Sequence, residues 1–332
     1  VSHNAEFDIG FLNEALDRNG QEKITNPIID TLALSRYLFP EARYHNLGAL
    51  CRNLEITSYN DDEAHRADFD ARILNEVWLA ILNILVRDNM MMTHADLAKL
   101  KANDAILKHL KPRHVVVLAK NELGLKNLYK LISLSHINYL AEIPKIPRRE
   151  MIKHHEGLLF GSACFNGEVF DTARTRNKED LKKVMAFYDY IEVQPIPNYC
   201  YLVNVGSIEN NKQVQRFIED IIEAADEIGK PVVATGDAHY VNPEEKIHRD
   251  VYIMAKAVGG KPHPLNTNPY ERAGEVYYEN PDQHYRSTKE MLKEFCFLGE
   301  EKAREIVVTN TNKIAQTVQE LFPVKSKLFA PK

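Results

Sequence analysis

From His114 onward, short apolar and β-branched runs alternate with longer amphipathic stretches, and no other feature limits the fold so tightly. His114-Val115-Val116-Val117-Leu118, Leu158-Leu159-Phe160-Gly161, Tyr190 to Val193 and Val232 to Thr235 read as buried strands. Helices are expected over about Leu123 to His136 and Ser207 to Ile228, with a loop bracketed by Pro144 and Pro147. Strands separated by helices imply an α/β architecture with largely parallel strands. From Glu244 the pattern turns mostly helical, through Lys256 and again from Ser287 to Leu321.

The first part of the chain has a different texture. A helix is expected from Asp8 to Arg18, ended by Asn19-Gly20, and Ile24 to Ile29 is a strand candidate. Asp30 is placed to cap a helix through Leu38, which Pro40 stops. A long amphipathic helix spans about Ala67 to Val86, with Phe69, Ile73, Val77, Ile81 and Ile84 along one side. Thr93-His94-Ala95-Asp96 resembles a capping box. No internal repeat or low-complexity tract interrupts this order.

Composition narrows the class without naming it. The chain has 332 residues, 44% hydrophobic and 27% charged, which is a globular balance and enough for two domains. A net charge of -5 gives no support for nucleic-acid binding and does not exclude it, because metal-holding carboxylates also lower the charge. Cys51, Cys164, Cys200 and Cys296 stand far apart, which suggests neither a zinc ribbon nor a disulfide framework and fits a reducing cytoplasm. The longest apolar run, Leu79 to Val86, is too short to span a bilayer and contains Asn83, so no membrane partner is expected. Opening on Val1, already within a motif, the chain reads as a fragment.

Two groups of residues carry chemistry. In the first, Ser2-His3-Asn4-Ala5-Glu6-Phe7-Asp8 sets a carboxylate at a helix start, and His65-Arg66-Ala67-Asp68-Phe69-Asp70-Ala71 sets a histidine five residues before an aspartate. Two-metal phosphodiester hydrolysis needs carboxylates for Mg²⁺ or Mn²⁺ and a base near neutral pH for the attacking water. Asp70 on a rigid helix is suited to hold an ion while His65 reaches the water. Each residue alone reads more simply as a first-turn carboxylate or a surface histidine.

Residues 1–78 nonetheless resemble the DnaQ-like (DEDDh) 3′–5′ exonucleases through three ordered stretches. These are the two just quoted and, between them, Ile29-Asp30-Thr31-Leu32 with Asn46-Leu47-Gly48-Ala49-Leu50. The resemblance implies metal roles for Asp8 and Asp70 and the general base for His65. The family's first motif, an Asp-x-Glu, has no match in the chain.

In the second group, His114 opens one strand, Cys164 follows another in Gly161-Ser162-Ala163-Cys164, and Asp237 and His239 follow a third in Ala234-Thr235-Gly236-Asp237-Ala238-His239-Tyr240. Polar groups at strand ends converge in α/β folds, and His, Cys and Asp together suit Zn²⁺ or another transition metal. Taken singly, Cys164 and His114 also suit a packed core. The stretch around Asp237 and His239 resembles the C-terminal half of a PHP (polymerase and histidinol phosphatase) domain, which implies metal roles for all four residues and their convergence at one end of the sheet. The family's opening His-x-His is absent, and His94, His154 and His155 do not supply it.

In PolC-type DNA polymerase III alpha subunits the exonuclease is inserted inside the PHP domain, and this chain resembles that family from end to end. Leu118-Ala119-Lys120-Asn121, Gly124-Leu125-Lys126-Asn127-Leu128, Leu134-Ser135-His136 and Phe297-Leu298-Gly299-Glu300-Glu301-Lys302-Ala303 add to the likeness. The fold implied is α/β: the C-terminal part of a ribonuclease H-like exonuclease fold over 1–88, an incomplete PHP-type α/β domain (a distorted barrel) over 89–244, and a mostly helical tail over 245–332 that begins the polymerase domain. The function implied is DNA-directed DNA synthesis with 3′–5′ proofreading. The partners implied are DNA, as primer 3′ end and primer-template, with a sliding clamp and other replisome subunits, in the cytoplasm. The polymerase's catalytic aspartates are expected beyond Lys332. The alternatives are a free-standing PHP-type metal phosphoesterase and a non-catalytic scaffold stabilised by its metal.

Weaker signals remain. Lys145, Arg148, Arg149 and Lys153 form a basic patch that suits a phosphate backbone or, more simply, a solvated loop. Gly259-Gly260-Lys261 lacks the spacing of a phosphate loop, and Arg249 and Arg272 have no evident partner in the sequence.

Overall fold

A computed structural model describes residues 1–64, 66–88, 93–97, 100, 106–107, 109–141, 143–255, 263–266 and 279–324. The elements, in order, are α1 (Ala5–Arg18), α2 (Thr31–Leu38), α3 (Leu47–Asn53), α4 (Ala67–Arg87), α5 (His94–Leu97), β1 (Val116–Ala119), α6 (Glu122–Ile137), β2 (Leu140–Ala141), β3 (Ile143–Pro144), α7 (Arg148–Lys153), β4 (Leu158–Gly161), α8 (Glu168–Thr175) and α9 (Lys178–Met185). They continue through β5 (Ile191–Val193), α10 (Cys200–Asn204), α11 (Asn211–Glu227), β6 (Val232–Ala234), α12 (Lys246–Met254), α13 (Thr288–Glu294), α14 (Glu300–Arg304) and α15 (Asn310–Gln316). The chain forms two compact units. One holds Val1–Pro112, Ile132–Met151 and Thr175–Asn177; the other holds Arg113–Leu131, Ile152–Arg174 and Lys178–Lys332.

The first unit is built on α4. Phe69, Ile73, Val77, Ile81 and Leu85 recur every fourth residue and are buried against Leu34 of α2 and Leu50 and Cys51 of α3. Leu85, not Ile84, closes the buried stripe. Asp30 caps α2 as expected, accepting from the Leu32 amide at 2.9 Å. Of the expected capping box, one half forms: the Thr93 amide donates to the Asp96 carboxylate at 2.8 Å, while the Asp96 amide donates to the Thr93 carbonyl.

The strand expected over Ile24 to Ile29 does not form. Side-chain amides satisfy the Ile24 backbone instead: its N–H donates to Asn13 Oδ1 and its carbonyl accepts from Asn177 Nδ2, at 2.8 and 2.9 Å. Pro27 removes a further donor. Only one parallel bridge, Ser2 to Asp30, joins the segments.

The second unit carries the α/β pattern. β5 and β6 are parallel, and a parallel bridge between Gly161 and Tyr190 links β4 to β5. The expectation of parallel strands fails at β1, which runs antiparallel to β4 with Val116 opposite Gly161 and Ala119 opposite Leu158. An apolar run satisfies its ladder in either direction, so its sequence does not encode polarity. α11 buries Val214, Phe217, Ile218, Ile221 and Ile222 on one face. The tail is helical over 288–294, 296–298 and 300–316 but stays within this unit, where Ile314 packs on Leu159, Tyr190 and Val233. α12 ends at Met254; Lys256, Gly259-Gly260-Lys261 and Arg272 lie outside the described residues.

The join between α6 and β4 depends on glycine. The Lys120 amide donates to the Gly157 carbonyl at 2.8 Å, and a Cβ on Gly124 would stand 1.8 Å from that oxygen. Because the obstacle is backbone, it cannot swing aside. Gly124→Ala should cost about 1–3 kcal/mol or more, read as a lowered urea midpoint, while Leu79→Ala on the exposed face of α4 should change it little.

Candidate functional site

Asp8 sits on the exposed side of α1 and Asp70 half-buried in the first turn of α4. The Ser2 hydroxyl donates to the Asp8 carboxylate. The segment before α1 is held in register by Ser2 N–H to Ile29 O at 3.0 Å, Thr31 N–H to Ser2 O at 2.9 Å and Asn4 N–H to Asp30 Oδ1 at 2.9 Å. Asn4 has φ 69°, a left-handed conformation that those bonds sustain. His3 meets the Thr31 hydroxyl at 3.0 Å, and burial lowers its pKa, so it stays neutral at pH 7. His65 lies outside the described residues.

In the second unit, the reversed β1 determines the site. Its N-terminal end lies beside the C-terminal end of β4, so His114 meets the loop that follows Gly161. The His114 amide donates to the Asn166 carbonyl at 3.1 Å, and its ring Nδ1 lies 3.3 Å from Cys164 Sγ. Two ligands of one tetrahedral zinc ion stand about 3–4 Å apart, so this pair matches that spacing. Beyond β6, the His239 ring Nδ1 lies 2.7 Å from the Asp237 backbone carbonyl and 4.0 Å from Asp237 Oδ1. A donor Nδ1 on that carbonyl leaves Nε2 with its lone pair outward, the tautomer that binds metals. These are two pairs; among the described residues, no three His, Cys, Asp or Glu side chains close around one point.

The surroundings fit a cation. Ala163 and Asp237 have φ 60° and 49°, two of four such non-glycine residues described. Glu192, on β5, is 8% exposed and accepts from the Ala163 amide at 3.1 Å, while its own amide donates to the Ser162 hydroxyl at 2.8 Å. Gly161 makes room for it: a Cβ there would meet Glu192 Oε1 at 2.4 Å. Burial raises the Glu192 carboxyl above its ordinary pKa, opposed by the Ala163 bond and assisted by Asp237. Burial also raises the Cys164 thiol, opposed by the Asn166 amide and assisted by Asp237 and Glu192. Asn198, fully buried, donates to the Gly236 carbonyl at 2.9 Å, and Gln283, 2% exposed, donates to Asp237 Oδ2 at 2.8 Å. The side-chain oxygens of Gln194, Asn198 and Gln283 are buried without a hydrogen-bond partner.

Sequence reasoning missed Glu192, Asn198 and Gln283. Glu192 had a visible signal, as the single charge inside an apolar strand. The basic patch is partly structural: Lys145 Nζ donates to the Leu107 and Leu110 carbonyls at 3.0 and 2.8 Å, and Arg149 stacks on Tyr139 at 5.8 Å. Arg249 stacks on Tyr252 at 5.5 Å.

An exonuclease family model matches residues 1–78, and a PHP domain model matches residues 49–194. The first takes in Asp8, His65 and Asp70; the second takes in His114 and Cys164 and stops before Asp237 and His239. Along its whole length the chain is similar to DNA polymerase III PolC-type, with 41% identity over 335 residues to that of Bacillus subtilis, 39% over 333 to that of Halalkalibacterium halodurans and 40% over 332 to that of Listeria welshimeri. Each alignment takes in 100% of this chain, which spans 22% of the relative's length. No helix among the described residues is long and apolar enough to cross a membrane.

The raised carboxyl of Glu192 has a consequence for stability. A carboxyl whose pKa rises on folding binds its proton more tightly in the folded chain. Its contribution is full below the unfolded pKa and is lost as pH rises through the folded value. In metal-free protein, Glu192→Gln should therefore raise Tm at about pH 8, with the gain shrinking towards about pH 4. Scanning fluorimetry across that range checks it. A lower Tm at the alkaline end would mean that the ionised carboxylate is stabilised by a partner.

Proposed function

We propose that the chain is a segment of a PolC-type bacterial replicative DNA polymerase. Residues 1–88 would be the later part of its proofreading exonuclease, 89–244 the later part of its PHP domain, and 245–332 the approach to its polymerase domain. The observation that carries this is about 40% identity over the whole chain to three such polymerases. The partners that follow are a primer 3′ end, a primer-template, a sliding clamp and other replisome subunits, in the cytoplasm.

In this reading Asp8 and Asp70 hold Mg²⁺ or Mn²⁺, and His65 takes the proton of the attacking water. The bound ions supply charge stabilisation for the leaving oxygen. Support comes from the motif order within the exonuclease match. Asp8→Ala or Asp70→Ala in the full-length polymerase should abolish 3′–5′ degradation of a labelled primer and leave primer extension intact, since several kcal/mol of transition-state stabilisation goes with each ligand. Full degradation by either variant would remove the assignment.

His114, Cys164, Asp237 and His239 form the donor set for Zn²⁺ or another transition metal. One Cys, two His and one Asp would complete a tetrahedron with no open position, which favours a structural ion over a hydrolytic one. Replacing Asp237 and His239 together should therefore lower the Tm of the full-length polymerase by several degrees and leave its extension rate per active molecule near wild type. A larger loss of extension than of stability would favour a catalytic or coupling role.

A further inference from the structure

The stretch from Asp282 to Arg286, far along the chain, lies against the Asp237-Ala238-His239-Tyr240 turn. Tyr240 and His284 form a parallel bridge, and the Tyr285 amide donates to the Tyr240 carbonyl at 2.9 Å. Gln283 stands at the middle of this contact and meets both residues of the pair. Its side-chain Nε2 donates to Asp237 Oδ2 at 2.8 Å, and its backbone carbonyl accepts from the His239 amide at 2.8 Å. Gln283 is itself fixed, because its amide donates to the Tyr240 hydroxyl at 3.0 Å, and that hydroxyl donates to Asp282 Oδ1 at 3.0 Å.

We infer that Gln283 is a positioning residue for the metal pair: it holds Asp237 Oδ2 and thereby directs Oδ1 to the ion, while its backbone sets the direction of His239. The inference rests on the proposal that Asp237 is a metal ligand. The backbone at Asp237 is left-handed, so its carboxylate has no regular strand or helix to orient it. A neutral amide suits the task. It donates one hydrogen bond and brings no charge that would compete for the ion, as an arginine or lysine would. Partners behind a metal ligand typically change metal affinity 10–100-fold when removed. The oxygen of the same amide, Oε1, is buried without a hydrogen-bond partner.

The test is a cobalt(II) titration of the full-length polymerase, followed by the near-ultraviolet charge-transfer band of thiolate bound to cobalt. That band reports Cys164 specifically if Cys164→Ser abolishes it. Gln283→Met keeps the volume and removes the donor. It should keep the band and the metal-free Tm, and require roughly 10–100-fold more cobalt for half-saturation. Wild-type affinity in Gln283→Met, with weakened binding in Asp237→Asn, overturns the role of Gln283 and leaves Asp237 a ligand. Wild-type affinity in Asp237→Asn overturns the metal assignment and the inference with it. Should Gln283→Met fail to fold, a crystal structure of the wild-type polymerase with cobalt located by anomalous scattering decides the matter. Oδ1 on the ion with Oδ2 on Gln283 is the expected arrangement, and Oδ2 on the ion overturns it.

Discussion

The direction of one strand determines what the second unit can do. Had β1 run parallel to β4, His114 at its start would lie at the end of the sheet away from Cys164, Asp237 and His239. Antiparallel pairing, Val116 opposite Gly161, turns His114 into a strand-end residue of the correct edge. The Gly124–Gly157 contact belongs to the same arrangement, since it brings the start of α6 onto the turn that enters β4. Two glycines thus protect the register on which a histidine–cysteine pair depends.

At that edge Glu192, Asp237 and the Cys164 thiol stand together, with the Arg249 guanidinium near enough to interact with Asp237. Burial opposes charge on Glu192 and Cys164, the Asp237 carboxylate adds to that on both, and Glu192 adds to it on Cys164. Left-handed backbone at Ala163 and Asp237 adds strain that buried hydrogen bonds offset. Buried acids, unpaired amide oxygens and strained turns each cost stability alone. A cation held there, as proposed above, would offset the cost of the buried acids.

Legibility in the sequence followed how local each determinant is. The α4 stripe, the Asp30 cap, the Asn19-Gly20 stop and the β4 run are set by neighbours within a few residues, and they could be read directly. The segment from Ile24 to Ile29 looked like a strand because its apolar residues allow one, but Asn13 and Asn177 supply its hydrogen bonds from outside. The polarity of β1 is likewise a tertiary property. His114, Cys164, Asp237 and His239 could be proposed because their residue types carry the chemistry. Gln283 could not, since an isolated glutamine 46 residues from Asp237 has no pattern to betray it.

That asymmetry has a structural meaning. Ligands are recognisable because metal chemistry restricts them to few residue types, whereas the groups that orient them need only a donor at the right point. Asn198 and Gln283 reach the Gly236-Asp237 turn from two different parts of the chain, one just after β5 and one just before α13. The turn is therefore specified by residues on both sides of it in sequence, and both lie beyond residue 194, where the PHP match ends. The Gln283 contacts tie the Asp237-to-Tyr240 turn to the chain leading towards α13. On the proposed metal assignment, binding of the ion and ordering of that segment would stabilise one another, because each reduces the conformational freedom the other would have to remove.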